Sequence, residues 1–285
     1  MTPGSSGTAA PGYRPGHTLR LSVELVRQLT RRRTQVTFAL VALLPVLLWG
    51  AFRLARQAPP SGSLSLVDLA KSSGPNFTVF ALFATASFLL VVVVALFFGD
   101  TVASEASWSS LRYLLAVPVP RARLLRQKAI VAAGLSVAAI VLLPAVALLV
   151  GTLAYGRGDL VTLTGESLRF GPATVRILLG ALYVATQLSW VASLALLLSV
   201  STDAPLGAVG GAVMVSIISQ ILDTITALEG LRNFLPTHYA NAWSDLLATQ
   251  VDWNEMTRGV FAALTYATVF GSLAAWRFAT KDIAS

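Results

Sequence analysis

No stretch of this chain limits its fold more than residues 78–98, which contain the unbroken run LLVVVVALFF. A helix of about 18 or more apolar residues is long enough to cross the hydrocarbon core of a bilayer. Residues 36–52, 129–155, 177–200, 205–222 and 259–276 are also free of charged side chains and close to that length or longer. In lipid the backbone must satisfy its own hydrogen bonds, so such segments are expected as helices. Hydrophobic residues make up 55% of the 285 and charged residues 12%, where a soluble domain carries about 25% charged residues. The expected class is an all-α polytopic membrane protein with six transmembrane helices.

Charge placement orients these spans, because Lys and Arg collect on the cytoplasmic side. With the N-terminus inside, the inner segments hold 13 basic and 5 acidic residues and the outer segments hold 8 of each. The whole excess of +8 then lies on one face of the membrane. Both termini are thus expected in the cytoplasm of a multi-pass membrane protein, and Arg outnumbering Lys 18 to 3 points to a GC-rich bacterium and its inner membrane. Topology accounts for this positive charge, so no nucleic-acid partner is expected.

Residues 1–16 are rich in Gly, Pro, Ser and Thr and read as a disordered cytoplasmic tail; residues 17–285 form the transmembrane domain. Between residues 17 and 33, Arg20, Glu24, Arg27 and Arg31 share one helical sector, opposite Leu21, Val23, Leu25, Val26 and Leu29. That pattern predicts an amphipathic helix lying in the headgroup layer. Residues 156–176 read as an irregular outer loop, and residues 201–204 as a tight inner turn. Residues 223–258 are too polar to span, yet they carry Phe234, Tyr239, Trp243 and Trp253. They predict two short outer helices broken at Pro236, dipping into the membrane or capping the bundle.

Catalytic chemistry finds little footing. There is no cysteine, and His17 and His238 fall on opposite sides of the membrane, so no metal site is expected. His238 reads as an interfacial side chain. None of the three lysines follows a glycine, which excludes a P-loop, so no ATP site or other cofactor site is expected in this chain. Carboxylates near the bilayer centre, which an ion-coupled carrier would need, are absent from the spans; Asp100 and Asp223 fall at span ends within reach of water. Uncharged polar residues do occur inside. Gln187 in the fourth span, and Ser216 and Gln220 in the fifth, either bond neighbouring helices or line a substrate path.

The connection between the second and third spans, GDTVASEASWSSLRYLLAVPVPRARLLRQK, differs from a plain polar linker. Residues 106–116 predict a short surface helix with Ser110, Leu111, Leu114 and Leu115 on one face. Pro118 and Pro120 end it, and Arg121, Arg123, Arg126 and Lys128 anchor the start of the next span.

This connection resembles that of ABC-2 type transporter permeases, the transmembrane subunits of bacterial ABC exporters. There the family typically reads Glu, three residues, Gly-Thr-Leu, a Leu-Leu pair, Pro-x-Ser-Arg and then a basic residue opening the third span. Glu105 matches the acid, Leu111 the leucine after Gly-Thr, Leu114 and Leu115 the pair, Pro118 the proline, Arg121 the arginine and Lys128 the basic residue. Ser109 and Ser110 replace Gly-Thr, and Pro120 replaces the serine. The segment LPTHYANAW, residues 235–243, resembles the family's outer segment before the last span.

The resemblance implies a type V exporter fold with a cytoplasmic coupling helix between spans two and three and re-entrant outer helices before span six. It implies a dimer with a second copy or a close paralogue, surrounded by membrane lipids. It also implies two separate cytoplasmic ABC ATPase subunits, which bind ATP and Mg. Glu105, Ser110, Leu111, Leu114, Leu115, Pro118 and Arg121 would form the ATPase-coupling surface, with Gln187, Ser216 and Gln220 on the substrate path. The expected function is a permease subunit, not itself an enzyme, of an exporter for an amphipathic or hydrophobic compound. The competing readings are a non-transporting scaffold or immunity subunit that recruits an ATPase, and an ion-coupled secondary transporter.

Overall fold

The structure, a computed structural model, describes residues 21–54, 66–107, 121–162, 165–248 and 250–280. Among them, five helices are long and apolar enough to cross a membrane, and a bent pair makes a sixth crossing if it is one span. The protein is therefore an all-α polytopic membrane protein. A short amphipathic helix, α1 (Leu21–Leu29), precedes α2 (Arg32–Leu54). After α3 (Leu66–Ala70) come α4 (Gly74–Ala86) and α5 (Leu89–Ser107), which meet at 54°. Then follow α6 (Arg121–Tyr155), α7 (Phe170–Gln187) and α8 (Ser189–Ser201), which run on as one crossing, and α9 (Pro205–Thr224). The last span is α10 (Asn254–Thr280).

The helices exceed the apolar runs at both ends. The second crossing starts at Gly74 and reaches Ser107, well past Phe98, and the fourth starts at Phe170 rather than at Ile177. The residues expected to form an irregular outer loop are thus partly helix. Leu160–Val161 and Ser167–Leu168 also pair there as a two-stranded antiparallel hairpin. Backbone pairing extends a helix beyond the residues that hydropathy alone selects.

The bend between α4 and α5 falls at Ser87 and Phe88, with neither proline nor glycine at the break. A kinked helix leaves a carbonyl without its i+4 partner, and in a membrane another side chain must supply the hydrogen. The amide of Gln220 on α9 does so, donating to the Ser87 carbonyl at 2.8 Å. Below the break, Ser199 Oγ on α8 accepts from the backbone N–H groups of Val102 and Ala103, at 3.1 and 3.0 Å. Side chains from the fourth and fifth crossings therefore hold α5 near its far end and at the break that precedes it.

A 3-10 segment, Thr226–Phe234, kinked at Glu229 (φ 43°), and a 3-10 helix, Ala242–Leu247, flank Pro236 and cover one end of the bundle. Two short helices broken at that proline were expected; the structure winds them as 3-10 turns. The second seats a fully buried Trp243 against Phe83, with ring centroids 4.4 Å apart. This fit needs a glycine in α7, because a Cβ at Gly180 would lie 2.9 Å from the Trp243 ring.

Candidate functional site

Three elements converge at the end of the bundle that carries α1. The side chains of Glu105 and Lys128 are each 3% exposed, and Lys128 Nζ donates to Glu105 Oε1 at 2.6 Å. Arg27 of α1 donates to the same oxygen at 2.5 Å. Glu24, one turn earlier, lies 3.6 Å from both Arg27 and Lys128. A few residues away, Arg31 (3.3 Å) and Arg33 both pair with Asp100, which is itself buried. Burial, followed by the neighbouring Arg27 guanidinium, holds Arg31 below the ordinary arginine value.

The sequence of α1 explains why it docks this way round. Its polar sector supplies Glu24, Arg27 and the following Arg31 to the bundle. Leu21, Val23, Leu25, Val26 and Leu29 remain exposed on its apolar sector. Ion pairs rather than apolar packing hold the helix to the protein, and the oily stripe faces outward. The basic run Arg31–Arg33 occupies the bend after α1 and the first turn of α2. Asp100 departs from the expectation: the helix continues past it, and the two arginines enclose it.

At the opposite end residues 226–248 form short turns whose backbone carbonyls accept from side chains of the neighbouring helices as well as from their own N–H groups. Such backbone is tolerated at membrane depth only where protein covers it and donates to it. Gln187 Nε2 donates to the Pro236 carbonyl at 2.9 Å and Tyr183 Oη to that of Tyr239 at 2.8 Å. Tyr266 Oη donates to Phe234 at 2.6 Å, and Arg176 donates to the carbonyls of Leu246 and Ala248. Ser219 and Thr237 pair at 2.7 Å, and His238 Nδ1 lies 2.6 Å from Asp223 Oδ1. Burial, then Glu255 and Asp252, raise the Asp245 carboxyl above the ordinary range.

Beneath this cap is a cavity of about 210 Å³, lined by Ser87, Gln187, Ser216, Gln220, Asp223 and Thr237 among others. The three residues singled out for a substrate path thus share one cavity. Two of them also bond to backbone, Gln187 to Pro236 and Gln220 to Ser87, and Gln220 reaches Ser216 Oγ at 3.3 Å. The hydrogen bonds tie these polar side chains to neighbouring segments, and the cavity is the space they share. Sequence reasoning missed the Asp223–His238 pair, the Arg27–Glu105 bond across 78 residues and the Ser199 tie, since no local spacing marks any of them.

Glu105 sits in the ionic cluster, and Arg121 opens α6. Ser110, Leu111, Leu114, Leu115 and Pro118, with the short helix expected there, lie outside the described residues.

A family model described as "Protein of unknown function (DUF2705)" matches residues 39–284. The chain belongs to the DUF2705 family. That DUF2705 match begins inside α2, so it takes in Asp100, Glu105, Lys128 and the capping segment but not Glu24, Arg27, Arg31 or Arg33. No curated protein matches this DUF2705 chain.

Proposed function

We propose that the protein is the membrane-spanning permease subunit of an ATP-driven ABC exporter. In this reading the α1 end faces the cytoplasm of a bacterial cell, and the cargo is an amphipathic or hydrophobic compound. Separate ATPase subunits supply the energy, and the chain works as a dimer with a second copy or a close paralogue. The ABC-2 resemblance of residues 105–128 supports this, together with one geometric observation. Glu105 lies in the last turn of the second crossing, Lys128 about two turns into the third, and Arg27 belongs to the amphipathic helix; all three meet at one buried oxygen. In the sequence, residues 108–120 lie between Glu105 and Lys128. A force applied to the segment from the cytosol reaches three elements at once.

The coupling also has a route onward. From Glu105, α5 runs to the break at Ser87, where Gln220 lines the polar cavity. Its 19 residues span about 28 Å at a rise of about 1.5 Å per residue. A rigid helix of that length carries a displacement from one end of the bundle to the wall of the cavity.

The test is reconstitution in proteoliposomes with the ATPase that copurifies. Vanadate-sensitive movement of an apolar dye is expected, and Glu105→Ala should leave insertion and ATPase binding intact while uncoupling hydrolysis from flux. Flux without any ATPase would overturn the reading, and ATPase binding with no vanadate-sensitive flux of any cargo would favour the scaffold. Chemical labelling that placed Trp108 on the outer face would also overturn it.

A further inference from the structure

A second and larger cavity lies at the capped end, outside everything assigned above. Its volume is about 730 Å³, and Leu66 and Leu69 of α3, Phe80 and Phe83 of α4, Leu160 of the hairpin and Leu247 of the cap form much of its wall. We propose that this cavity houses one acyl chain of a bilayer lipid from the leaflet at the capped end.

Its chemistry selects hydrocarbon. Asn76 on the wall is already committed: Nδ2 donates to the Val161 carbonyl at 2.7 Å, and Oδ1 accepts from the Val161 N–H and the Ser73 hydroxyl. Thr162, also on the wall, exchanges hydrogen bonds with the backbone of Glu166. A polar or charged ligand would lose its hydration here with little to replace it. Water gains little in an apolar cavity, and an empty one forfeits dispersion contacts along its whole lining.

Its depth fits one leaflet. The α4 wall runs from Asn76 to Ala84, starting two residues inside the helix end at Gly74. The eight rises from Asn76 to Ala84 cover about 12 Å, within one half of a hydrocarbon core about 30 Å thick. The wall is also continuous with the surface offered to lipid, since Leu66 is 60% and Phe83 38% exposed. A lipid tail gains no hydrophobic free energy by moving from bilayer to apolar cavity, so the site fills by packing and takes acyl chains with little selectivity.

The chain itself is a poor occupant. Residues 55–65, which lead into Leu66, read ARQAPPSGSLS and offer one large apolar side chain, Leu64. The inference needs only that α4 crosses the bilayer; it does not depend on transport.

The experiment uses the full chain in vesicles containing phosphatidylcholine with a diazirine on its acyl chain. After photolysis, peptides covering residues 66–84 and 244–248 should carry several-fold more label than peptides from exposed α6 and α10 surfaces. Ala84→Trp, which fills the cavity from an exposed position, should reduce that label several-fold. Leu149→Trp, on an exposed α6 surface, should leave it unchanged. Label no greater in the cavity peptides than elsewhere, or unmoved by Ala84→Trp, would overturn the proposal. So would label that enters the cavity only when Leu64 is replaced by Ser, because the chain would then be the occupant.

Discussion

Lys128→Met tests whether the joint at Glu105 behaves as a buried ion pair. Both side chains are 3% exposed, so neither recovers its hydration when the other is removed. Breaking such a pair by deleting one partner costs about 3–5 kcal/mol. Arg27 still reaches Glu105 at 2.5 Å, but its side chain is 44% exposed and shares its charge with water; this places the expected cost at the lower end of that range. The double variant Glu105→Gln with Lys128→Met removes both charges together and should recover at least about 2 kcal/mol relative to the sum of the single variants. Asp100→Asn is the internal comparison. Its partners Arg31 and Arg33 are 29% and 43% exposed, so its loss should stay near about 1 kcal/mol. Equilibrium unfolding in mixed micelles, followed by tryptophan fluorescence, measures Lys128→Met, Glu105→Gln, the double variant and Asp100→Asn against the unaltered protein. Additive single costs, or a Lys128→Met cost no larger than that of Asp100→Asn, would refute the reasoning.

Two further outcomes follow from the capped end. Gly180→Ala brings a methyl to 2.9 Å from the Trp243 ring and should cost about 1–3 kcal/mol by overpacking. It should lower the melting temperature and speed limited proteolysis within residues 226–248. Asp245 has its carboxyl raised by burial, then by Glu255 and Asp252, so the folded state holds its proton at pH values where the unfolded chain has lost it. Stability therefore falls as pH rises from the ordinary aspartate range through the raised value. Asp245→Asn should flatten that part of the melting-temperature profile and leave the protein more stable at neutral pH; an unchanged profile would count against the assignment.

Hydropathy made the crossings legible because a bilayer allows few alternatives for such runs. The amphipathic pattern of α1 was legible too, since Glu24, Arg27 and Arg31 repeat at helical spacing, but that its polar sector faces the bundle was not. Features that depend on contacts between distant segments left no such trace. The break at Ser87 carries no proline or glycine, and its stabilising donor, Gln220, lies 133 residues away. Lys128 could be expected at the start of the third span, but nothing local to Glu105 identifies Arg27 as its other partner. The hairpin at residues 160–168 contributes two residues per strand, too few for an alternating pattern to register.

The two ends of the bundle solve the same electrostatic problem by different means, and the difference bears on which end can move. At the capped end, neutral side chains and one arginine donate to fixed carbonyls, and much of the cap's geometry is set by the shape of Trp243 and its glycine. Displacing it breaks several hydrogen bonds and a packed aromatic contact together. At the α1 end, the helix buries no side chain of its own and is held through Arg27, Arg31 and Glu24 to charges on α5 and α6. Ion pairs with partly exposed partners can exchange with water or with an incoming charged surface at small net cost. The Glu105–Lys128 pair beneath them cannot. Under the proposed coupling, a partner that meets this end repositions α1 cheaply while the α5–α6 joint stays closed, and α5 transmits the push rather than absorbing it.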